Sequence, residues 1–158
     1  MNILARLLLL PPYLGLDAWQ IESTTTHINL TIVSKGAIAE GPICHQGTHR
    51  IHSHYERTVA DLPWSEYRVS WLLQVRKFFC TNPNCPRRIF TERLPGVVAP
   101  WVRKTPRLAQ RLTAIGLALG GAAGMRLSDR LGLRISRQSL LRLVRLISLL
   151  SSSPRKSL

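Results

Sequence analysis

YRVSWLLQVRKFFCTNPNCPRRIF, residues 67–90, decides how this chain is read, because a strand runs straight into a cysteine turn. Tyr67, Val69, Trp71, Leu73 and Val75 alternate with Arg68, Ser70, Gln74 and Arg76, Leu72 being the exception. That is the period of a strand buried on one face. Cys80 and Cys85 then flank an Asn-Pro-Asn turn, with Arg87 and Arg88 directly behind, and Arg88–Glu92 is predicted to return as a short strand. A thiolate pair in a tight turn is half of a tetrahedral zinc site, since Zn²⁺ takes four ligands and favours Cys and His. The alternative is a hairpin stiffened by Pro83 and Pro86 with inert thiols.

The other half of such a site belongs upstream. Cys44 lies in the loop EGPICHQG (40–47), and His49 stands at the same spacing from Cys44 as Cys85 does from Cys80. His49 is therefore the candidate fourth ligand to Cys44, Cys80 and Cys85. His45, adjacent to Cys44, is a poorer one, and His52 and His54 share a strand face and are read as surface. In HINLTIV (27–33) Ile28, Leu30 and Ile32 mark another half-buried strand, with Leu16–Ile21 a candidate partner. VADLPW (59–64) closes the strand that follows the cysteine loop, because Pro63 cannot donate to a ladder. Asp61 is read there as a turn residue bonding its own backbone. LPGVVAP (94–100), with two prolines and a glycine, reads as a linker.

Beyond the linker the period becomes helical. Thr105 is an N-cap with Pro106 at the first helical position, and Leu108, Leu112, Ile115 and Leu119 share one face. Gly120-Gly121 is expected to stop this helix. A second helix is predicted over Ala122–Leu131, closed by Gly132, and a third starts at the Ser136 cap, with Ile135 and Leu140 in staple positions. Three helices, the last two joined by LGLRI, make a helix-turn-helix arrangement.

The third helix divides its faces. Leu140, Leu143, Val144 and Ile147 cluster on one side; Arg137, Gln138, Arg142 and Arg145 fall opposite, with Leu141 among them. A helix entering the major groove needs that division, since Arg pairs with guanine and Gln with adenine. Arg126, Arg130 and Arg134 are candidate phosphate contacts. The net charge is +14, and from Arg93 onward thirteen basic residues face a single acid, Asp129. Such a half calls for a polyanion, nucleic acid first and an anionic membrane surface second.

The stretches HSHYERTVADLPW (52–64), VRKFFCTNPNCPRRIFTERLP (75–95), RLTAIGLALGGAAGMRLSDRLGL (111–133) and SRQSLLRLVR (136–145) resemble the N-terminal part of bacterial insertion-sequence transposases of the ISL-three family. The resemblance implies a zinc finger followed by a helix-turn-helix that binds the element's terminal inverted repeats. It also implies a later catalytic domain with three acidic residues and divalent metal. Two departures stand out. The family's first knuckle reads Cys-Pro-x-Cys, whereas this chain has Gly41-Pro42-Ile43-Cys44, so the carry-over of ligands covers Cys44, Cys80 and Cys85. No acid lies beyond Asp129, and the sequence turns into ISLLSSSPRKSL. In-line phosphoryl transfer needs converging carboxylates, so the expectation is a truncated copy that cannot cut DNA alone.

The expected fold is α+β: a small β-rich zinc-ribbon-like module followed by a three-helix helix-turn-helix module. Its segments are an extended stretch over 1–40, the zinc-finger-like domain over 41–93, the helical domain over 101–148 and an unstructured tail over 149–158. The expected partners are double-stranded DNA at transposon ends and either full-length transposase or a second copy of the chain. Three cysteines are too few for a disulfide scaffold and fit a reducing cytoplasm. The apolar run Leu7–Leu10 is too short for a secretion signal, and 115–125 is too short to span a bilayer. The rival functions are a small helix-turn-helix transcriptional regulator and a peripheral membrane or partner-binding protein.

Overall fold

The computed structural model describes residues 16–94, 97–99 and 101–151. The apolar run Leu7–Leu10 and the tail from Ser152 lie outside the described residues.

The strands are β1 (Leu16–Ser23), β2 (His27–Ser34), β3 (Ala39–Glu40), β4 (Gly47–Thr48), β5 (Ile51–Ala60), β6 (Arg68–Phe79) and β7 (Ile89–Thr91). With twelve residues, β6 is long enough to carry neighbours along both edges. β5 runs antiparallel along one edge, from Ile51 opposite Phe78 to Ala60 opposite Ser70. The other edge is shared. β2 lies parallel to its first part, His27 opposite Arg68 through Val33 opposite Gln74, and β7 is antiparallel to its last three residues. β1 pairs antiparallel with the far side of β2, completing a five-stranded mixed sheet, while β3 and β4 form a separate two-stranded hairpin.

The alternation read from the sequence fixes which face is buried. Leu30 lies opposite Trp71, Ile32 opposite Leu73, and Val59 opposite Trp71 on the other edge. These side chains, with Val69 and Val75, form one buried cluster. Each such burial is worth roughly 1.5–3 kcal/mol. The cluster is covered by Val97 and Val98, 2% and 6% exposed. The segment expected to be a linker is thus core where it is described. Arg57 fastens it, donating to Ala99 O at 3.1 Å and also to Val102 O.

At the far end of β6 the buried face changes. Phe78, fully buried, stacks on Phe90 of β7 with ring centroids 6.0 Å apart. Where β2 gives way to β7 along the same edge, Arg76 spans the junction. Its Nη2 donates to Glu92 Oε2 at 2.8 Å and to Ser34 Oγ at 3.0 Å.

Two helices follow, α1 (Pro106–Arg130) and α2 (Arg137–Ser151). Thr105 caps α1, its Oγ1 accepting from Leu108 N at 3.3 Å, and Ser136 Oγ accepts from Ser139 N at 3.2 Å before α2. The helical run breaks at Gly120, as the Gly120-Gly121 signal led one to expect: that residue takes φ 71° and ψ −171°, a kink beyond which a second helical stretch runs on to Arg130. Leu119, read on the apolar face, is accordingly 46% exposed beside that break, while Leu108 and Leu112 are buried. Glycines here make room for the second helix: a Cβ at Gly116 would stand 2.7 Å from Val144 Cγ2, and one at Gly124 2.8 Å from Leu140 Cδ2. Leu140, fully buried, fills that bed with Leu108, Leu112 and Leu133 around it. At Gly132 the chain turns with φ 73°, and Leu133 N donates to Ser128 O at 2.8 Å.

The expectation of a small zinc-ribbon module followed by a three-helix helix-turn-helix module is therefore overturned. Among the described residues the chain builds a five-stranded sheet, a two-stranded hairpin and two helical elements packed on each other. Long-range pairing of β2 with β6, absent from any local pattern, enlarges the β part. The Gly120 kink divides α1 into two helical stretches, but the helical core packs on Ala60 and Leu62 of the sheet side rather than standing apart as a separate module. No helix among the described residues is long and apolar enough to cross a membrane.

Sheet and helices meet at Asp61. Its N–H stays in the sheet region, donating to Val69 O at 2.9 Å. Its side chain is fully buried and accepts from Thr105 Oγ1 and Arg107 Nε, both at 2.7 Å, with Arg107 Nη2 on the second oxygen. Thr105 N donates to Ala60 O and Ala60 N to Arg103 O, each at 2.9 Å. Arg107 also lies over the Trp71 ring, 5.7 Å from its centroid, and Ala60 and Leu62 pack on the helical core. Asp61 is a clamp between elements rather than the local turn residue that the sequence suggested. Removing one partner of a buried pair strands the other. Asp61→Ala is expected to lower unfolding free energy by about 2–3 kcal/mol in urea titration, against less than about 1 kcal/mol for Lys35→Ala at the exposed Asp17 pair. Equal effects would remove the clamp from this account.

Candidate metal centre and basic helical face

Two turns converge on the thiols. In the first, β3 and β4 pair through Ala39 with Thr48 and Glu40 with Gly47. Gly41 N donates to Gln46 O at 3.0 Å and His45 N to Gly41 O at 2.9 Å, with His45 at φ 55°, so the loop folds back tightly around Cys44. In the second, β6 continues past Phe79 and returns in β7. Cys80 N donates to Arg88 O at 2.8 Å and Cys85 N to Asn82 O at 3.2 Å. Asn82 Oδ1 accepts from Asn84 N at 2.9 Å, the side chain fixing its own turn. Phe79 N donates to Arg50 O at 2.9 Å, which ties the second turn to the strand leaving the first.

The three Sγ atoms all lie within 4.8 Å of one another, and Cys44 Sγ is 3.6 Å from Cys80 Sγ. Cys85 is buried, Cys44 and Cys80 half-buried. The Gln46 backbone N–H holds the Cys44 thiol below its ordinary range, with the other two thiols and Asn82 acting in the same direction against burial. At Cys80 the Asn82 backbone N–H pulls down, but burial and the neighbouring Cys44 and Cys85 sulfurs push the thiol up overall. A cation placed among the three sulfurs would favour their thiolate forms.

His49 does not join the group. Gly47 and Thr48 pair back toward Glu40 and Ala39, so His49 sits exposed at the base of the hairpin while Cys44 is at the tip. His45 is exposed as well. Of the four ligands read from the sequence, the structure brings Cys44, Cys80 and Cys85 together and leaves His49 outside that group. Gly41, the residue that departs from the Cys-Pro-x-Cys knuckle, is buried, and a Cβ added to it would stand 3.0 Å from Cys44 Sγ. Zinc fits the three soft sulfurs on chemistry, and Cys44, Cys80 and Cys85 would hold it, cross-linking the two turns.

Seven polar side chains marked earlier lie on the helices and the turn between them. Arg126, Arg130, Arg134, Arg137, Gln138, Arg142 and Arg145 are all exposed. Gln138, Arg142 and Arg145 fall within an arc of about 60° at the α-helical 100° per residue. Arg126 and Arg134 line one shallow concavity with Asp129 and Ser136. Asp129 reaches Arg134 only at 3.8 Å, both side chains being largely solvated, so that charge is weakly offset. Arg137 crosses the helix seam, its Cγ 3.1 Å from where a Gly121 Cβ would be.

The two knuckles and their sulfur trio make the 42–85 region a zinc-binding module. That region is of the kind found in insertion-sequence transposases: residues 42–85 match the family model described as the zinc-finger of transposase IS204/IS1001/IS1096/IS1165. No curated protein and no solved structure matches the chain.

Stoichiometric zinc is expected on the full chain by competition with a chromophoric chelator. Cys80→Ser or Cys85→Ser should weaken it by at least about 100-fold, whereas His49→Ala should leave affinity within about twofold. A large loss in His49→Ala would reinstate that histidine as a ligand.

Proposed function

We propose that this chain is the DNA-binding portion of a transposase, recognising terminal inverted repeats of an insertion sequence, without strand-cutting activity from the residues described. The observation that carries the reading is the set of exposed cationic and amide side chains on α2 and the end of α1, opposed by almost no acid. Exposed Gln138, Arg142 and Arg145 on one arc of α2 suit entry into a major groove, with Leu140 holding the opposite side to α1. Arg126, Arg130 and Arg134 suit phosphate contacts that orient the helix. The zinc module, of a transposase type, favours nucleic acid over a membrane surface as the polyanion.

The acids support a binding role too. Asp61 and Glu92, both buried, are engaged with Arg107 and Arg76. Among the described residues the cluster of potential metal ligands is made of sulfur.

The test is a binding titration with a duplex carrying the element's terminal repeat against a scrambled duplex at physiological salt. Preference for the repeat is expected, and Arg142→Ala or Gln138→Ala should cost about 1–3 kcal/mol, roughly 5- to 150-fold, on the repeat alone. Equal binding of both duplexes, or affinity unchanged in both variants, would refute the reading.

A further inference from the structure

The geometry points to a metal centre with an open fourth corner at Gly41, where a single soft donor from outside the chain, a thiolate or an imidazole nitrogen, completes the coordination. This rests on the zinc reading of Cys44, Cys80 and Cys85 and goes beyond it. The second turn contributes two thiols and the first contributes one. Gly41 is buried, and the space on its side-chain side is bordered by Cys44 Sγ at 3.0 Å, Gln46 O at 3.7 Å and the Phe90 ring at 3.8 Å. A side chain leaving Gly41 would thus start beside Cys44 Sγ, which itself lies within 4.8 Å of the other two sulfurs. Glycine leaves that place without a donor.

Among the described residues no further donor joins the sulfur group. His45 and His49 are exposed and lie outside the sulfur group, and no carboxylate belongs to that group. Three protein ligands with a vacant position distinguish an exchangeable zinc from a closed structural one. Three thiolates and a dication sum to one negative charge. The wider field of a chain with net +14 does not oppose a further anionic ligand. Arg88, whose guanidinium donates to Asn82 O at 3.4 Å, contributes to that field from the adjacent turn. Cys44 and Cys80 are only half-buried, which gives a small ligand access.

Cobalt(II) reports on such a site through its visible absorption. The full chain is loaded with Co²⁺ and titrated with imidazole and, separately, with 2-mercaptoethanol. Wild-type protein should show a saturable spectral change with either. Gly41→Cys should show none, and should bind zinc at least about tenfold more tightly. Gly41→Ala, which adds bulk without a donor, should keep the response. X-ray absorption of the zinc-loaded wild type should give three sulfur neighbours and one lighter atom, a readout that needs no variant. Bound cobalt indifferent to both ligands, or four sulfur neighbours, would overturn the open corner while leaving the metal site standing. Failure of the wild type to bind either metal would overturn both.

Discussion

The buried carboxylate of Asp61 is the contact on which the rest of the molecule depends. It accepts from the Thr105 hydroxyl and from the Arg107 guanidinium at the start of α1, while its own N–H remains on the sheet. One side chain thereby fixes where α1 begins and in which direction it leaves the sheet. Everything further along, including the close glycine-lined seam with α2, inherits that direction. Burial also removes Asp61 from the surface, as the Arg76 ion pair removes Glu92. Two of the eight acids are in this way engaged inside, and the helical face is left almost purely cationic. The interaction that joins the two layers also shapes the electrostatics of the outer one.

The metal centre plays the matching part at the opposite end of β6. Beneath the two turns the apolar support is modest, chiefly Phe78 stacked on Phe90. Short hairpins of this size do not hold themselves in water. A zinc ion shared by Cys44, Cys80 and Cys85 would lock β3–β4 to the β6–β7 turn and so stiffen the end of the long central strand. One continuous strand then runs from the metal corner to the neighbourhood of the clamp, where Trp71 lies under Arg107. The basic helices are presented from a framework anchored at both ends.

Much of this was legible, for definable reasons. Alternation along β6 and β2 named Val69, Trp71, Leu73, Val75, Leu30 and Ile32, because a period of two reports one-sided burial directly. The caps Thr105 and Ser136 are local chemistry and were readable as such. What failed was non-local or depended on absent side chains. No pattern in β2 states that its partner is β6, lying parallel and some forty residues on. Val97 and Val98 sit among prolines and glycine that speak of a loop, yet a loop can still cover a core. Gly120-Gly121 carried a stop signal and Gly120 does break the helix, but that signal did not report that Gly116, Gly121 and Gly124 let α2 come close. His49 matched by spacing alone, and spacing ignores the hairpin pairing that carries it away from Cys44. The expectation of a separate three-helix module thus failed on the company the helices keep, since their core packs on Ala60 and Leu62 beside the sheet.

DNA binding by an exposed cationic face makes one demand that neither folding nor metal binding shares: it must release counterions. The most direct measurement is the affinity of the zinc-loaded full chain for a terminal-repeat duplex across a series of salt concentrations. If four to six of the exposed arginines neutralise phosphates, a plot of log affinity against log salt should fall with a slope of about −4 to −5. A slope between zero and about −1 would contradict the account, because the helical arginines would then be solvated surface and no more.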